Sequence, residues 1–339
     1  MLKEKIGFVG CGQAGGNIVK NFEDNGYNCM FVNSSEKDLD TIDAKFKLHI
    51  PNANGCSKLR DKAILQAKKH HRIIVDEVND KLSDCEFVYL VTSSGGGSGS
   101  GMTPILLDIL TASLPQISFG CIVVIPSKKE TIQTQINSVV FFQQLIQVEN
   151  LKSVIVLDNE KDNKFLINNI IYQLFDDMLK IPDYISTLSN LDESEILQLI
   201  NTPGNLMIVE SYKGNTPSII KSIEENIYAP IDKDKEVKYL GLSLLNEVDV
   251  NDIIKYVGVP LDTYQGYNKD KSMIIMSGLS LPMSRINEMN DIAKGNREII
   301  FKNKKKPELI DTGWLTEDVA KSIEVVAEPS NLDDLFAKY

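Results

Sequence analysis

The chain of 339 residues carries 36 Lys and Arg against 47 Asp and Glu, a net charge of −11, with 42 % hydrophobic and 24 % charged residues. This length and balance read as a soluble globular protein with room for two domains and a large core. The acidic excess argues against direct coating of DNA by the body of the protein, which needs cations in surplus.

Residues 5–10 read as a short apolar strand ending in glycine, and residues 17–27 as a helix with Ile18, Val19 and Phe22 on one side. A second strand at 29–32 stops at Asn33-Ser34-Ser35, and 58–78 is a long, charged helical stretch. The strand at 86–92 runs into a glycine cluster. A helix is expected to begin near Thr103-Pro104, where proline suits a first turn. Strand 117–125, helix 131–148, strand 153–157 and a helix from 165 to about 180 follow. Strands alternating with helices predict a parallel sheet covered on both faces. After about residue 200 the pattern changes to strands at 207–210, 237–244 and 272–277 with helices at 217–228 and 251–256, a smaller mixed domain. Beyond 296 the chain turns polar and reads as a tail.

The five cysteines, at 11, 29, 56, 85 and 121, are odd in number and include no C-x-x-C. That excludes a disulfide framework and fits a reducing cytoplasm, with each thiol read as buried and inert. His49, His70 and His71 have no ligand spacing, so no protein-built metal site is expected. The N-terminus shows no secretory leader, and no apolar run reaches the roughly 20 residues that span a bilayer. A cytoplasmic location with no membrane partner is expected.

The chemistry sits in two glycine loops. Gly10-Cys11-Gly12-Gln13-Ala14-Gly15-Gly16-Asn17 follows a strand and precedes a helix, matching G-x-G-x-x-G. Glycines admit a phosphate to the backbone, and the helix start offers free N–H groups. A nicotinamide-dependent Rossmann oxidoreductase is one reading. It asks for an acid at the end of the second strand, where Asn33-Ser34-Ser35 stands with Glu36 just beyond. The second loop, Gly95-Gly96-Gly97-Ser98-Gly99-Ser100-Gly101, lies between hydrophobic segments, which suits a second anion cradle better than a linker. No Lys follows it, so it is not a P-loop.

Two such loops on neighbouring strand ends resemble the tubulin/FtsZ superfamily. Residues 95–101 are similar to its G-G-G-T-G-T-G signature with Ser98 and Ser100 in place of Thr, and residues 10–17 to its first phosphate loop with Gln13 and Ala14 in place of glycines. Val32-Asn33-Ser34-Ser35 resembles the V-N-T-D segment. Pro126 and Glu130 resemble the ribose loop, with Thr134 where FtsZ carries Arg. The resemblance puts Asn159 and Asn169, or its neighbour Asn168, beside the guanine. Asn190-Leu191-Asp192-Glu193-Ser194-Glu195 resembles the N-x-D-x-x-D loop, whose carboxylates act on the nucleotide of the next subunit; the bland reading is an acid-rich helix start.

The resemblance implies an α/β fold with these parts: a Rossmann-like GTP-binding domain at 1–164, a central helix at 165–189, a second domain at 190–296 and a tail at 297–339. It implies GTP or GDP held by Gly12, Gln13, Ala14, Gly16, Asn17, Asn33, Gly95, Gly96, Gly97, Ser98, Gly99, Glu130, Asn159 and Asn169. Mg²⁺ would be held mainly by phosphates. Asn190, Asp192 and Glu195 would be the catalytic set, delivered by a head-to-tail neighbour. Residues 258–268 and 274–278 favour the TubZ group of plasmid and phage partition GTPases. A DNA-bound adaptor would then engage the tail, where Lys302 and 304–306 are basic and Leu332, Leu335 and Phe336 share one helix face. FtsZ-like division and phage-DNA positioning are the neighbouring alternatives.

Overall fold

The computed structural model describes residues 2–232 and 236–302. The first half alternates strand and helix: β1 (Ile6–Cys11), α1 (Gly12–Asp24), β2 (Asn28–Asn33), α2 (Glu36–Asp40), β3 (Lys47–His49), α3 (Arg60–Leu82), β4 (Phe87–Ser93), α4 (Ser98–Ser113), β5 (Ser118–Ile125), α5 (Ile132–Leu145), β6 (Ser153–Asp158) and α6 (Lys164–Leu179). The second half contains α7 (Glu193–Asn201), β7 (Gly204–Ser211), α8 (Thr216–Glu224), β8 (Tyr239–Leu244), α9 (Val250–Val257), β9 (Asp262–Tyr267), β10 (Ser272–Leu279) and α10 (Met283–Lys302).

The strands join one sheet in the order β3-β2-β1-β4-β5-β6-β7-β10-β8-β9. Every pairing is parallel except the two made by β10. The two halves therefore share a sheet, joined at β6 and β7 through Ser153–Gly204 and Val154–Asn205. Residues up to Gly295 form one unit.

Side-chain alternation assigns the two faces of the sheet. Phe8 and Tyr89 point to one side, where Phe22 of α1 stacks on Phe8 at 3.9 Å between ring centroids and Phe175 of α6 meets Tyr89 edge-on. Val9, Val88 and Leu90 point to the other side, into a cluster with α3, α4, α5 and the start of α10. Strands buried on both faces read as continuous apolar runs, which is why the parallel core was visible in the sequence.

Several boundaries differ from expectation, among them the ends of α3 and α8, and the start of α4 bears on the site. α4 begins at Ser98, inside the glycine run, and Pro104 is an interior residue of that helix. A Cβ on Gly99 would lie 2.4 Å from the Cys11 carbonyl, and one on Gly101 2.6 Å from the Arg60 carbonyl. The glycines thus let the helix pack directly on its neighbours. Pro104 cannot donate back to the Ser100 carbonyl; buried Arg60 supplies that bond instead, with Nη2 at 2.9 Å, and also donates to the Ser100 hydroxyl at 2.8 Å. α6 ends at Leu179, before a short 3₁₀ turn at Ile181–Asp183, because Pro182 disfavours helical backbone just ahead of it. The segment 165–189 is therefore helical in its first part and irregular from 184. Tail positions 303–339, including the basic 304–306 and Leu332, Leu335 and Phe336, lie outside the described residues.

Candidate nucleotide-binding site

In the first six strands the order 3-2-1-4-5-6 reverses direction between β1 and β4. The crevice at the carboxyl ends of those two strands is where such sheets take ligands. Both glycine loops leave from this point. Gly12 turns with φ +71°, and its Cβ position is 2.9 Å from the Gly99 backbone nitrogen, so the loops touch backbone to backbone. Gly15 fits against the Val91 carbonyl, where a Cβ would stand at 2.0 Å.

A cavity of about 270 Å³ opens here, lined by Ala14, Asn17, Gly95, Gly96, Glu130 and Asn159 among the expected residues. Asn168 lines it too, whereas Asn169 is exposed and outside the lining. Gly12, Gly16 and Gly99 are buried parts of the loops and are not in the lining. Gln13, Gly97 and Ser98 are not part of the lining. Asn33 is buried at the end of β2 with its amide 3.4 Å from Asp38, and Ser34 and Ser98 share a hydroxyl bond of 2.6 Å.

The electrostatics favour an anion. Neither α1 nor α4 has a side-chain cap or an acid in its first turn, so no side chain of the helix start offsets its positive dipole end. Lys58 lines the cavity and donates to Thr134 Oγ1 at 3.1 Å. The sequence leaves position 134 without the Arg of FtsZ; the structure brings this ammonium there from another loop. Ser57 and Lys58 both hold left-handed φ, +48° and +62°, an uncommon backbone for such residues. Glu130 is balanced by Lys164 at 3.3 Å and accepts from Ser127 N–H at 3.3 Å. Burial pushes the Cys11 thiol up to about 12, which keeps it protonated near neutral pH. All five cysteines are free and buried.

Three further residues had no sequence signal. Buried Asn137 donates to the carbonyls of Gly95, Gly96 and Lys58 at 3.2, 2.8 and 3.0 Å, clamping the second loop to residue 58. Phe165 is 83 % exposed yet lines the cavity, offering an aromatic face at its mouth. Lys164 lies beside it.

Asn190, Asp192 and Glu195 do not line this cavity. Asn190 closes its own loop through both backbone groups of Ser186. Asp192 and Glu195 form a reciprocal capping box at the start of α7, with both bonds at 2.9 Å. The Ser194 hydroxyl and the Glu195 N–H hold the Asp192 carboxyl below the usual carboxylate range.

Comparison with known proteins decides the family. Residues 5–166 match the model of the Tubulin/FtsZ family, GTPase domain. The tubulin-like protein TubZ of Clostridium botulinum C phage is 31 % identical, with all of both chains covered. This chain belongs to the tubulin/FtsZ family. It is a GTPase of the TubZ type. The tail-truncated TubZ of Clostridium botulinum phage c-st superposes with a TM-score of 0.82 at 31 % identity, covering 88 % of this chain and all of the other. A GTPγS-form protofilament of TubZ from Bacillus thuringiensis serovar israelensis shares the fold, with a TM-score of 0.76 at 18 % identity over 88 % of this chain and 94 % of the other. Membership of a GTPase family supersedes the oxidoreductase reading. Among the described residues no helix of this tubulin/FtsZ chain is long and apolar enough to cross a membrane.

Proposed function

We propose that the chain polymerises head to tail on GTP and hydrolyses it in a pocket completed by the next subunit. GTP phosphates rest on residues 12–17 and 95–99, with Lys58 as the side-chain cation. The nucleoside lies toward Asn159, Asn168 and Glu130, its base stacking on Phe165. Glu130 is the one carboxylate in the lining, and no group of three or more His, Cys, Asp or Glu among the described residues could hold a metal. Mg²⁺ held by phosphate oxygens and water fits such a site, and when bound it neutralises phosphate charge.

The observation that carries the reading is the length of α6. Its first turns, at Lys164, Phe165 and Asn168, line the cavity, and its 16 residues span roughly 24 Å at 1.5 Å per residue. Asp192 and Glu195 come after its far end. They do not line their own pocket, and a copy stacked in the same orientation brings them to the pocket of its neighbour. There their free oxygens, Asp192 Oδ2 and Glu195 Oε1, orient water for in-line attack. A contact of this kind is heterologous and does not close, so it builds filaments. Exposed Ile185 and Leu188 at the acidic end and Phe165 and Leu166 at the pocket end supply apolar surface for it.

Residues 1–164 serve as the nucleotide-binding part, 165–189 as the connecting segment, 190–296 as the activating part and 297–339 as the tail. The cellular role is plasmid or phage DNA segregation in the cytoplasm, with an adaptor bridging the tail to DNA. Pelleting and electron microscopy with GTP, GDP and a slowly hydrolysed analogue test the reading. Filaments are expected with GTP and persist with the analogue; absence of polymer with either would contradict it.

A further inference from the structure

Part of the cavity wall comes from two segments that follow adjacent strands, 126–130 after β5 and 159–163 after β6. They are cross-tied at the surface. Lys128 N–H donates to Glu160 at 2.8 Å, and Asn159 Nδ2 reaches Glu130 Oε1 at 3.5 Å. Lys128 also pairs with Glu288 of α10 at 2.6 Å.

Behind this wall lies a buried ion pair. The side chains of Arg285, in the first turn of α10, and Asp158, the last residue of β6, are each only 3 % exposed. Arg285 Nε donates to Asp158 Oδ2 at 2.9 Å, and its Nη2 donates to the Pro126 carbonyl at 2.7 Å. One guanidinium therefore grips the end of β6 and the first residue beyond β5. Pro126 itself and Asn159, next to Asp158, line the cavity. Ile286 and Met289 seat the helix that carries Arg285 in the core beneath α4 and α5. An apolar pair of similar volume usually stabilises a core as well as a buried ion pair does. What the guanidinium adds is direction, because its planar fork holds one side-chain carboxylate, of Asp158, and one backbone carbonyl, of Pro126, at once.

We infer that Arg285 is a positioning residue for the nucleoside half of the pocket. It sets the spacing between the 126–130 and 159–163 segments and so links the docking of α10 to nucleotide affinity. The inference rests on guanine nucleotide occupying this cavity. Linkage is reciprocal, so nucleotide in the cavity also steadies the seat of α10.

The test uses the full chain carrying Asp158→Asn with Arg285→Met, which removes both charges together and leaves no lone buried ion. Dissociation constants for guanosine, GDP and GTP are measured well below the unfolding midpoint. All three are expected to weaken about tenfold, the equivalent of one well-placed hydrogen bond, while the GTP-to-GDP affinity ratio stays unchanged. Arg285→Lys, which keeps the charge but loses the fork, is expected to shift them the same way by a smaller factor and serves if the double variant does not fold. A folded variant that binds guanosine and GDP like the parent overturns the inference and leaves the pair a strut. Selective loss of GTP over GDP overturns it too, since the phosphate loops do not touch the pair. A parent that binds no guanine nucleotide removes the underlying reading, and the inference with it.

Discussion

Helices α1 to α9 begin in two ways, and the starts of α1 and α4 contrast with the start of α7. From α1 to α9, six helices open on a side-chain cap. α3 lacks one but has Asp61 in its first turn. Only α1 and α4 have neither, and both begin at the crevice between β1 and β4. A missing cap costs about 1 kcal/mol, and phosphates in the proposed pose would supply acceptors at both of these open starts. α7 is the reverse. Asp192 and Glu195 bond each other's backbone N–H groups there, which holds both carboxylates at the helix start.

That contrast can be broken at either end. Asp192→Ala is expected to lower GTP turnover at least 100-fold, as loss of a water-positioning group does, with GTP affinity and assembly retained. Phosphate release and nucleotide titration on one preparation check it, and a parallel loss of affinity would put Asp192 inside its own pocket. At the other end, Gly15→Ala places a Cβ 2.0 Å from the Val91 carbonyl and should cost about 3 kcal/mol in denaturant unfolding. Gly96→Ala meets nothing closer than Ser93 Oγ at 3.4 Å, so it should fold normally and weaken nucleotide binding alone. Equal stabilities for the two variants would show that the loops do not pack as described.

Lys58→Met sharpens the electrostatic side. Removing one charge-assisted phosphate contact should weaken GTP about tenfold and flatten the salt dependence of binding. An unchanged salt slope would mean the ammonium stays on Thr134. The smallest effect concerns pH. The folded Asp192 carboxyl titrates below its unfolded value, so its contribution to the α7 cap is complete above the unfolded value of about 3.9 and is lost as pH falls through the lower folded one. The rate of pre-formed filaments should therefore show no step from this carboxylate between about pH 5 and 8. A step that vanishes in Asp192→Asn would contradict its ionised, orienting role.

The sequence carried the parallel core and both glycine loops, because strands covered on two faces are continuously apolar and glycine runs have few other uses. It did not carry β3 or β9. These edge strands, Lys47–His49 and Asp262–Tyr267, are half-exposed and mostly polar, so they lack an apolar signature. The start of α4 was hidden for the opposite reason. Local propensity speaks against helix at Gly99 and Gly101, and close packing on Cys11 and Arg60 overrides it. Lys58 and Asn137 were illegible because their roles exist only in contacts across 76 and 42 residues of chain, to Thr134 and Gly95. Asn168 rather than Asn169 lines the pocket because only one of two neighbours on a helix can face it.

The account stands on activation by a second copy, and the specific rate of GTP hydrolysis as a function of protein concentration tests it most directly. The rate per molecule should be very low in dilute solution and climb sharply once filaments form, and Asp192→Ala filaments should show no such climb. A rate per molecule that is the same on both sides of the assembly threshold would mean that each pocket is complete by itself.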